Sequence, residues 1–397
     1  MSKINIIDSV MGSGKTSWAI DKMENDCEND YIYITPYLKE IDRIKESCKN
    51  KKFFDPKHRG KGKLDSLHRL LLKNRNIAST HALFKMSNNI TKGLIASNDY
   101  ILILDEVMEV VEQVPLKKND LDILVTNNLI TTKEDGLVVW NKDKIDFESK
   151  YDDIKTMCLN NNLYLINNIL FLWTFPVDIF KCFKEVYICT YLFDGQIQKY
   201  YYDFYNIDYK YYSIEKRNDI YQLVDYKKYS GKQFKNLISI LDNSKMNLIG
   251  LDKYALSKTW YGKEDNKPLV KQLQKNLSNY YKNILKSKSC NNLWTTFKDN
   301  KNQLSGKGYT KGFISCNIRA TNDYANTYNL AYCCNIFFNP IIKNFFINRN
   351  IEINQDMFAL SELLQWIWRS RIRKNEKINL YIPSERMRNL LKKYLEK

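Results

Sequence analysis

Ile4-Asn5-Ile6-Ile7-Asp8-Ser9-Val10-Met11-Gly12-Ser13-Gly14-Lys15-Thr16 stands a few residues from the N-terminus, and its reading decides the fold. An apolar strand pattern runs into a glycine-rich turn, and Ser17-Trp18-Ala19-Ile20 begins a helix. This is the layout of a phosphate-binding loop. Glycines let backbone N–H groups turn inward around a triphosphate, and the helix N-terminus adds partial positive charge. Lys15 is expected to reach the β- and γ-phosphates, and the Thr16 hydroxyl to ligate Mg²⁺. The nucleotide-binding set is Ser9, Gly12, Ser13, Gly14, Lys15, Thr16 and Ser17, with ATP and Mg²⁺ as the expected cofactors.

The general form of such a loop has glycine five positions before Gly14, where this chain has Ser9. Gly12, Gly14, Lys15 and Thr16 fit instead the tighter A-x-x-G-x-G-K-T form, with serine for alanine. The bland reading is a glycine turn with a surface lysine. A preceding strand, a following helix and a second motif argue against it.

That second motif is Tyr100-Ile101-Leu102-Ile103-Leu104-Asp105-Glu106. A continuous apolar run of this length predicts a buried parallel strand. Two carboxylates follow at its C-terminal end, where open α/β sheets bind ligands. Asp105 is expected to hold Mg²⁺, and Glu106 to polarise the attacking water. The rival reading is a solvated acidic helix start.

Length and composition set the outer bounds. The 397 residues allow two or three domains, and an apolar fraction of 44% allows cores to form. No apolar stretch approaches a membrane span, and no signal peptide precedes the loop. Nine cysteines show no C-x-x-C pair or zinc spacing, which predicts reduced core thiols in a cytoplasmic protein. A formal charge of +17 favours a polyanion, most plausibly nucleic acid; a solubilising lysine-rich surface is the alternative. Twenty-eight tyrosines offer stacking capacity for single-stranded bases. Richness in Asn, Lys, Ile and Tyr has the look of an AT-rich genome.

Further strands are expected at Tyr31-Ile32-Tyr33-Ile34-Thr35-Pro36, at Ile77-Ala78-Ser79-Thr80-His81 and at Val186-Tyr187-Ile188-Cys189-Thr190-Tyr191. Thr80-His81 could meet a nucleic-acid backbone or cap a helix. The basic stretch Lys49 to Lys63 reads as a mobile loop. Residues 113–170 read as an insertion in a first domain of residues 1–205. Leu129 to Trp140 within it reads as a hairpin with an Asp-Gly turn. Tyr200 to Tyr205 is expected to pair as an extra strand. A second α/β domain, 206–397, has strand candidates at Lys245–Leu251, Lys311–Cys316, Tyr332–Phe338 and Ile378–Ile382. The stretch 262–310, rich in Lys and Asn, contains a glycine loop at Ser305-Gly306-Lys307-Gly308.

Leu363-Leu364-Gln365-Trp366-Ile367-Trp368-Arg369-Ser370-Arg371-Ile372-Arg373 predicts a helix with clustered arginines. Arginine suits a transferring phosphate because it is always charged and forked. Arg369 could act as an arginine finger, with Arg371 or Arg373 sharing that role or binding a phosphate backbone. The alternative is a basic helix that packs Trp366 and Trp368.

Taken in order, these stretches resemble superfamily 2 helicases and translocases, most closely the compact ones of bacteriophages. The resemblance spans most of the chain. It rests mainly on the loop at Ser9–Thr16, on Leu104-Asp105-Glu106 and on Gln365-x-x-x-Arg369. Ile34-Thr35-Pro36, Ser79-Thr80-His81, Cys189-Thr190-Tyr191 and Asn317-Ile318-Arg319-Ala320-Thr321-Asn322 add weaker matches. The resemblance implies α/β architecture with two tandem RecA-like domains, ATP between them and a nucleic-acid strand across their top. It implies that Gln365 and Arg369 complete the ATP site. It also implies that Thr35, Pro36, Thr80, His81, Thr321 and Asn322 face nucleic acid. The chain departs from the family by Trp368 in place of a glycine, and by Ile372 where a second arginine belongs. Val107-Met108 follow the Asp-Glu pair, and Thr190-Tyr191 replace small residues.

The function expected is an ATP-dependent DNA helicase or translocase in phage replication or recombination. It would act on DNA with a single-stranded segment, alongside replication proteins and away from membranes. Alternatives are a duplex-DNA packaging or remodelling motor, and a nucleotide-switched DNA-binding protein.

Overall fold

Strands covered on both faces read as unbroken apolar runs, and such runs organise the first half of the chain. The structure, a computed structural model, describes residues 3–58, 62–228, 230–317 and 323–397, and the elements below are those of the described residues. First come β1 (Lys3–Asp8), β2 (Tyr31–Thr35), β3 (Phe53–Phe54), β4 (Asn76–Thr80) and β5 (Ile101–Asp105). Then follow β6 (Val111–Val114), β7 (Ile130–Thr132), β8 (Val138–Trp140), β9 (Leu163–Ile166) and β10 (Leu170–Thr174). The series continues with β11 (Glu185–Thr190), β12 (Tyr209–Arg217) and β13 (Ile220–Asp225).

The first five strands and the last three build one sheet in the order β13-β12-β1-β11-β5-β2-β4-β3. Its pairings are parallel except the β12–β13 edge hairpin. Register aligns the strand ends. Asp8 pairs with Thr190, Cys189 with Asp105, and Thr35 sits one step past the Ile34–Leu104 pair. Four C-terminal strand ends therefore share one edge, where ligands bind in open parallel sheets. Helix α1 (Lys15–Asn25) covers this sheet by burying Trp18, Ala19 and Met23 against Tyr31, Tyr33 and Ile103.

Strands β6, β10 and β9 form a separate antiparallel sheet, and β7–β8 is a hairpin. They share a core of their own that includes Leu124, Trp140, Leu163 and Phe171. The ends of this layer meet, since the Phe175 N–H donates to the Val110 carbonyl at 2.8 Å.

By its contacts the chain divides into two units. One comprises Met1–Ser9, Ser13–Tyr226 and Asn339–Ile353; the other comprises Val10–Gly12, Lys227–Phe338 and Asn354–Lys397. The second unit holds β14 (Ile238–Ile240), β15 (Asn292–Thr295), β16 (Asn329–Tyr332) and β17 (Ile378–Tyr381), parallel in the order β14-β17-β16-β15. Both units are thus α/β with parallel sheets, as expected.

Several local expectations are corrected. Tyr200–Tyr205 does not form a strand; Ile197–Phe204 is a helix with Tyr200, Tyr201 and Tyr202 all buried. Beyond residue 205, β12 and β13 complete the first sheet instead of opening a second domain. Lys245–Leu251 is helical, because the Asn243 side chain accepts from the Met246 N–H and caps a turn. Lys311–Cys316 contributes a single bridge between Phe313 and Trp294, and the strand near Tyr332 ends at that residue. The stretch 262–310 carries the helix Lys267–Asn279 and the buried strand β15. Within Lys49–Lys63, β3 pairs with β4, and Lys45 and Lys57 hold Asp55. Many tyrosines are packed inside, among them Tyr31, Tyr33, Tyr100, Tyr280, Tyr309 and Tyr332.

Candidate nucleotide site

The loop after β1 is shaped by two glycines. Gly12 and Gly14 adopt φ of 86° and 95°, a left-handed region that costs a residue with Cβ about 1 kcal/mol or more. A Cβ on Gly14 would also lie 2.0 Å from the Tyr221 ring of β13, so this position is closed twice. Gly14 is the N-cap of α1 and brings no side-chain acceptor to the first-turn N–H groups. That end of the helix is electropositive and suits an anion.

Lys15 turns back into this loop. It is 9% exposed, and its Nζ donates to the Ser9 carbonyl at 2.5 Å. Ser9 is fixed in turn. Its N–H donates to Thr190 O at 3.0 Å, and its Oγ accepts from the Ile214 N–H at 3.0 Å. Burial lowers the Lys15 pKa, against the opposing fields of Glu106, Cys189, Asp8 and Asp105. A phosphate group is the kind of neighbour that would restore its charge.

The carboxylates show the reverse perturbation. Burial pushes Asp105 up to about 7, with Glu106 and Glu40 adding repulsion. The Thr35 hydroxyl donates to Asp105 Oδ2 at 3.5 Å. Asp8 rises to about 6 for the same reason, although it accepts the N–H groups of Leu192 (2.8 Å) and Phe193 (3.2 Å). Glu106 has φ of 70°, and its N–H donates to Cys189 O at 2.9 Å. A left-handed glutamate is uncommon and stores strain at a strand end facing the loop.

Two buried hydroxyls here, Ser13 Oγ and Thr190 Oγ1, have no hydrogen-bond partner among the described residues. Orphaned polar atoms in a native interior call for an absent ligand, ion or water. Among the described residues no group of three or more His, Cys, Asp and Glu could hold a metal. A divalent ion would therefore take Asp105 and Thr16 together with oxygens of the ligand itself, which is the habit of Mg²⁺. The residues present fit a nucleotide with its metal.

The remaining predicted residues fall as follows. Thr16 and Ser17 lie half-buried on the first turn of α1. Thr35 is wholly buried behind the half-buried Pro36. Thr80 caps the short helix at His81, its hydroxyl accepting from the Leu83 N–H at 3.3 Å. Thr321 and Asn322 lie outside the described residues. In the second unit, Gln365 is 3% exposed and its Nε2 has no partner. Arg369, one helical turn on, is 5% exposed. Arg371 stacks on Tyr328 at 4.0 Å and donates from Nε to Lys377 O at 2.6 Å. Arg373 is half-buried on the same turn.

The departures from the family pattern are explained by packing. Trp368 meets Phe234 edge-on at 4.8 Å, and Ile372 is fully buried. Val107 and Met108 are core residues, and the Met108 N–H donates to Gln198 Oε1 at 3.0 Å. The sequence reading assigned no site role to Asp8 or Tyr221, and quoted Cys189 only within the motif Cys189-Thr190-Tyr191. Asp8 carried a signal, a carboxylate closing an apolar strand; the other two depend on sheet register.

Fold and site define the class first: α/β units with parallel sheets and a glycine loop facing an Asp-Glu strand end. The solved structure of S. tokodaii Xpd4 resembles this chain with a TM-score of 0.50 at 11% identity, over 99% of this chain and 94% of that one. A structure titled XPD helicase follows at 0.48 and 11% identity, over 98% and 95%. At such identity the likeness is one of fold. Residues 232–395 match the YonV C-terminal Rossmann-like domain, and residues 111–173 match the YonV middle domain. The SPbeta prophage-derived uncharacterized protein YonV of Bacillus subtilis (strain 168) is 49% identical over 100% of this chain and 99% of its own length. The chain belongs to the YonV family.

Proposed function

We propose that this protein is an ATP-dependent nucleic-acid motor, a DNA helicase or translocase serving phage replication or recombination. The observation that carries the reading is Lys15, buried among Asp8, Asp105 and Glu106 at an uncapped helix start. Such a burial is unfavourable unless a triphosphate completes it. On ATP binding Lys15 would exchange the Ser9 carbonyl for phosphate oxygens. Thr16 and Asp105 would hold Mg²⁺, which neutralises phosphate charge when bound. Glu106 would orient the attacking water. Gln365 and Arg369 are the residues that the helicase resemblance would enlist in the same reaction. Arg371 and Arg373 are both candidates for the second cation; Arg371 already stacks on Tyr328 and donates to the Lys377 carbonyl. The fold likeness to Xpd4 and the prophage origin of the relative support a motor on phage DNA.

The deciding experiment is steady-state ATPase with Mg²⁺, with and without single-stranded DNA, duplex DNA and RNA. Stimulation by one nucleic acid, abolished by Lys15→Ala and Glu106→Gln, is the expected result. Hydrolysis indifferent to all three would overturn the motor reading, and hydrolysis retained in both variants would place the site elsewhere.

A further inference from the structure

The charge of this chain is unevenly placed. Between residues 258 and 311 stand twelve lysines, no arginine and three carboxylates. Glu264 holds Lys267, and Asp299 holds Lys258. Lys271, Lys275, Lys282, Lys286 and Lys288 are all exposed, and among the described residues none forms an ion pair. The first two lie one turn apart on the helix Lys267–Asn279. Lys282 follows on the π-helical turn Tyr280–Ile284, and Lys286 and Lys288 lie just beyond it.

The opposite face of this helix is fixed in the core through Val270, Leu273 and Leu277. The lysines therefore stand outward as a ridge. Like charges at i,i+4 destabilise a helix, so the row works against its own fold. A π-turn inside such a helix is the kind of irregularity that marks working surfaces. Lys271 and Lys275 are separated by about 6 Å along the axis, roughly two phosphates of rise on one strand of a duplex. Lysine acts as a mobile point charge without the planar fork that reads bases. A bilayer fits less well, because an interfacial helix must offer its apolar face to lipid and here that face is buried in the protein.

We infer that the ridge Lys271–Lys275–Lys282, continued by Lys286 and Lys288, is a sequence-independent docking surface for a nucleic-acid phosphate backbone. None of these lysines is among the residues assigned above to the ATP site or to nucleic-acid contact. The inference rests on the reading of the protein as a nucleic-acid motor.

The test is binding of the full-length protein to labelled single-stranded and duplex DNA across a salt series. The triple variant Lys271→Gln, Lys275→Gln, Lys282→Gln should bind more weakly. Its slope of log K against log salt should be shallower by about 2 to 3, near one for each lysine. DNA-independent ATPase and melting temperature should not change. A charge-matched triple at exposed lysines elsewhere, Lys73→Gln, Lys228→Gln and Lys393→Gln, should keep the wild-type slope. An equal fall in that control, or an unchanged slope in the ridge variant, overturns the inference and leaves the motor reading standing. Wild-type protein that binds no nucleic acid defeats both. Binding to phosphatidylserine vesicles lost in the ridge variant, with DNA binding intact, would reassign the ridge to a lipid surface.

Discussion

Asp105 carries a carboxyl whose burial opposes folding once it is ionised. Burial pushes its pKa up to about 7 in the folded protein, against an ordinary value near 4 in the unfolded chain. Between those values the folded state binds more protons, so stability falls as pH rises through the window. Asp105→Asn removes that penalty. The variant should melt at a higher temperature than wild type at pH 8, by a gain on the order of a few kcal/mol, and at nearly the same temperature at pH 4. It should also lose ATP hydrolysis. Equal melting at pH 8 would show that the carboxylate is not desolvated. The paired arginines separate in the same way. Arg371→Ala should lower stability by about 1–2 kcal/mol through its lost ring and carbonyl contacts, with turnover per folded molecule retained. Arg373→Ala should depress kcat per folded molecule if Arg373 is the second cation. The reverse pattern would exchange their roles.

At the scale of elements, legibility followed burial. The strands β2, β5 and β11 were readable because helices on both faces demand apolar runs, and the loop and Asp-Glu pair were readable because each is contiguous. The second unit was harder. Its strands are short, and β15 opens with Asn292, whose amide is buried and donates to Gly308 O at 3.1 Å. A local asparagine cap overrode the apolar pattern of Lys245–Leu251. A residue that joins the site through register alone, such as Tyr221, left no local trace. Packing also explains why a tryptophan can stand where the helicases that the sequence resembles have glycine. Trp368→Gly would open a cavity against Phe234, and should cost about 3–5 kcal/mol. The denaturation midpoint in urea measures this; an unchanged midpoint would mean the ring carries no packing energy.

Across the whole molecule, the layer from β6 to β10 is a body with its own core, entered and left through the hydrogen-bonded pair Val110 and Phe175. Because its ends meet, a short linker can replace it. The neighbour it would uncover is the helix Pro340–Ile347, whose Phe345 packs on Tyr164 at 5.3 Å. Arg349 stacks on Phe345 at 4.0 Å and donates to the carbonyl of Asp135 in the β7–β8 turn. The contact ties the hairpin to a segment reached only after most of the second unit has been traversed. If the protein is the helicase proposed above, this clamped hairpin is a candidate wedge for parting strands, the alternative being a decoration. Replacing residues 112–173 by Gly-Ser-Gly should leave a folded protein that still hydrolyses ATP, because every residue assigned to the nucleotide lies outside the excised layer. Fork unwinding should be lost. Arg349→Ala, which removes the hairpin contact together with the stacking on Phe345, Phe204 and Tyr164, should reduce unwinding per ATP while DNA-stimulated hydrolysis persists. Unwinding unchanged in the excised protein would reduce the layer to decoration, and hydrolysis lost with it would make the layer part of the ATPase core.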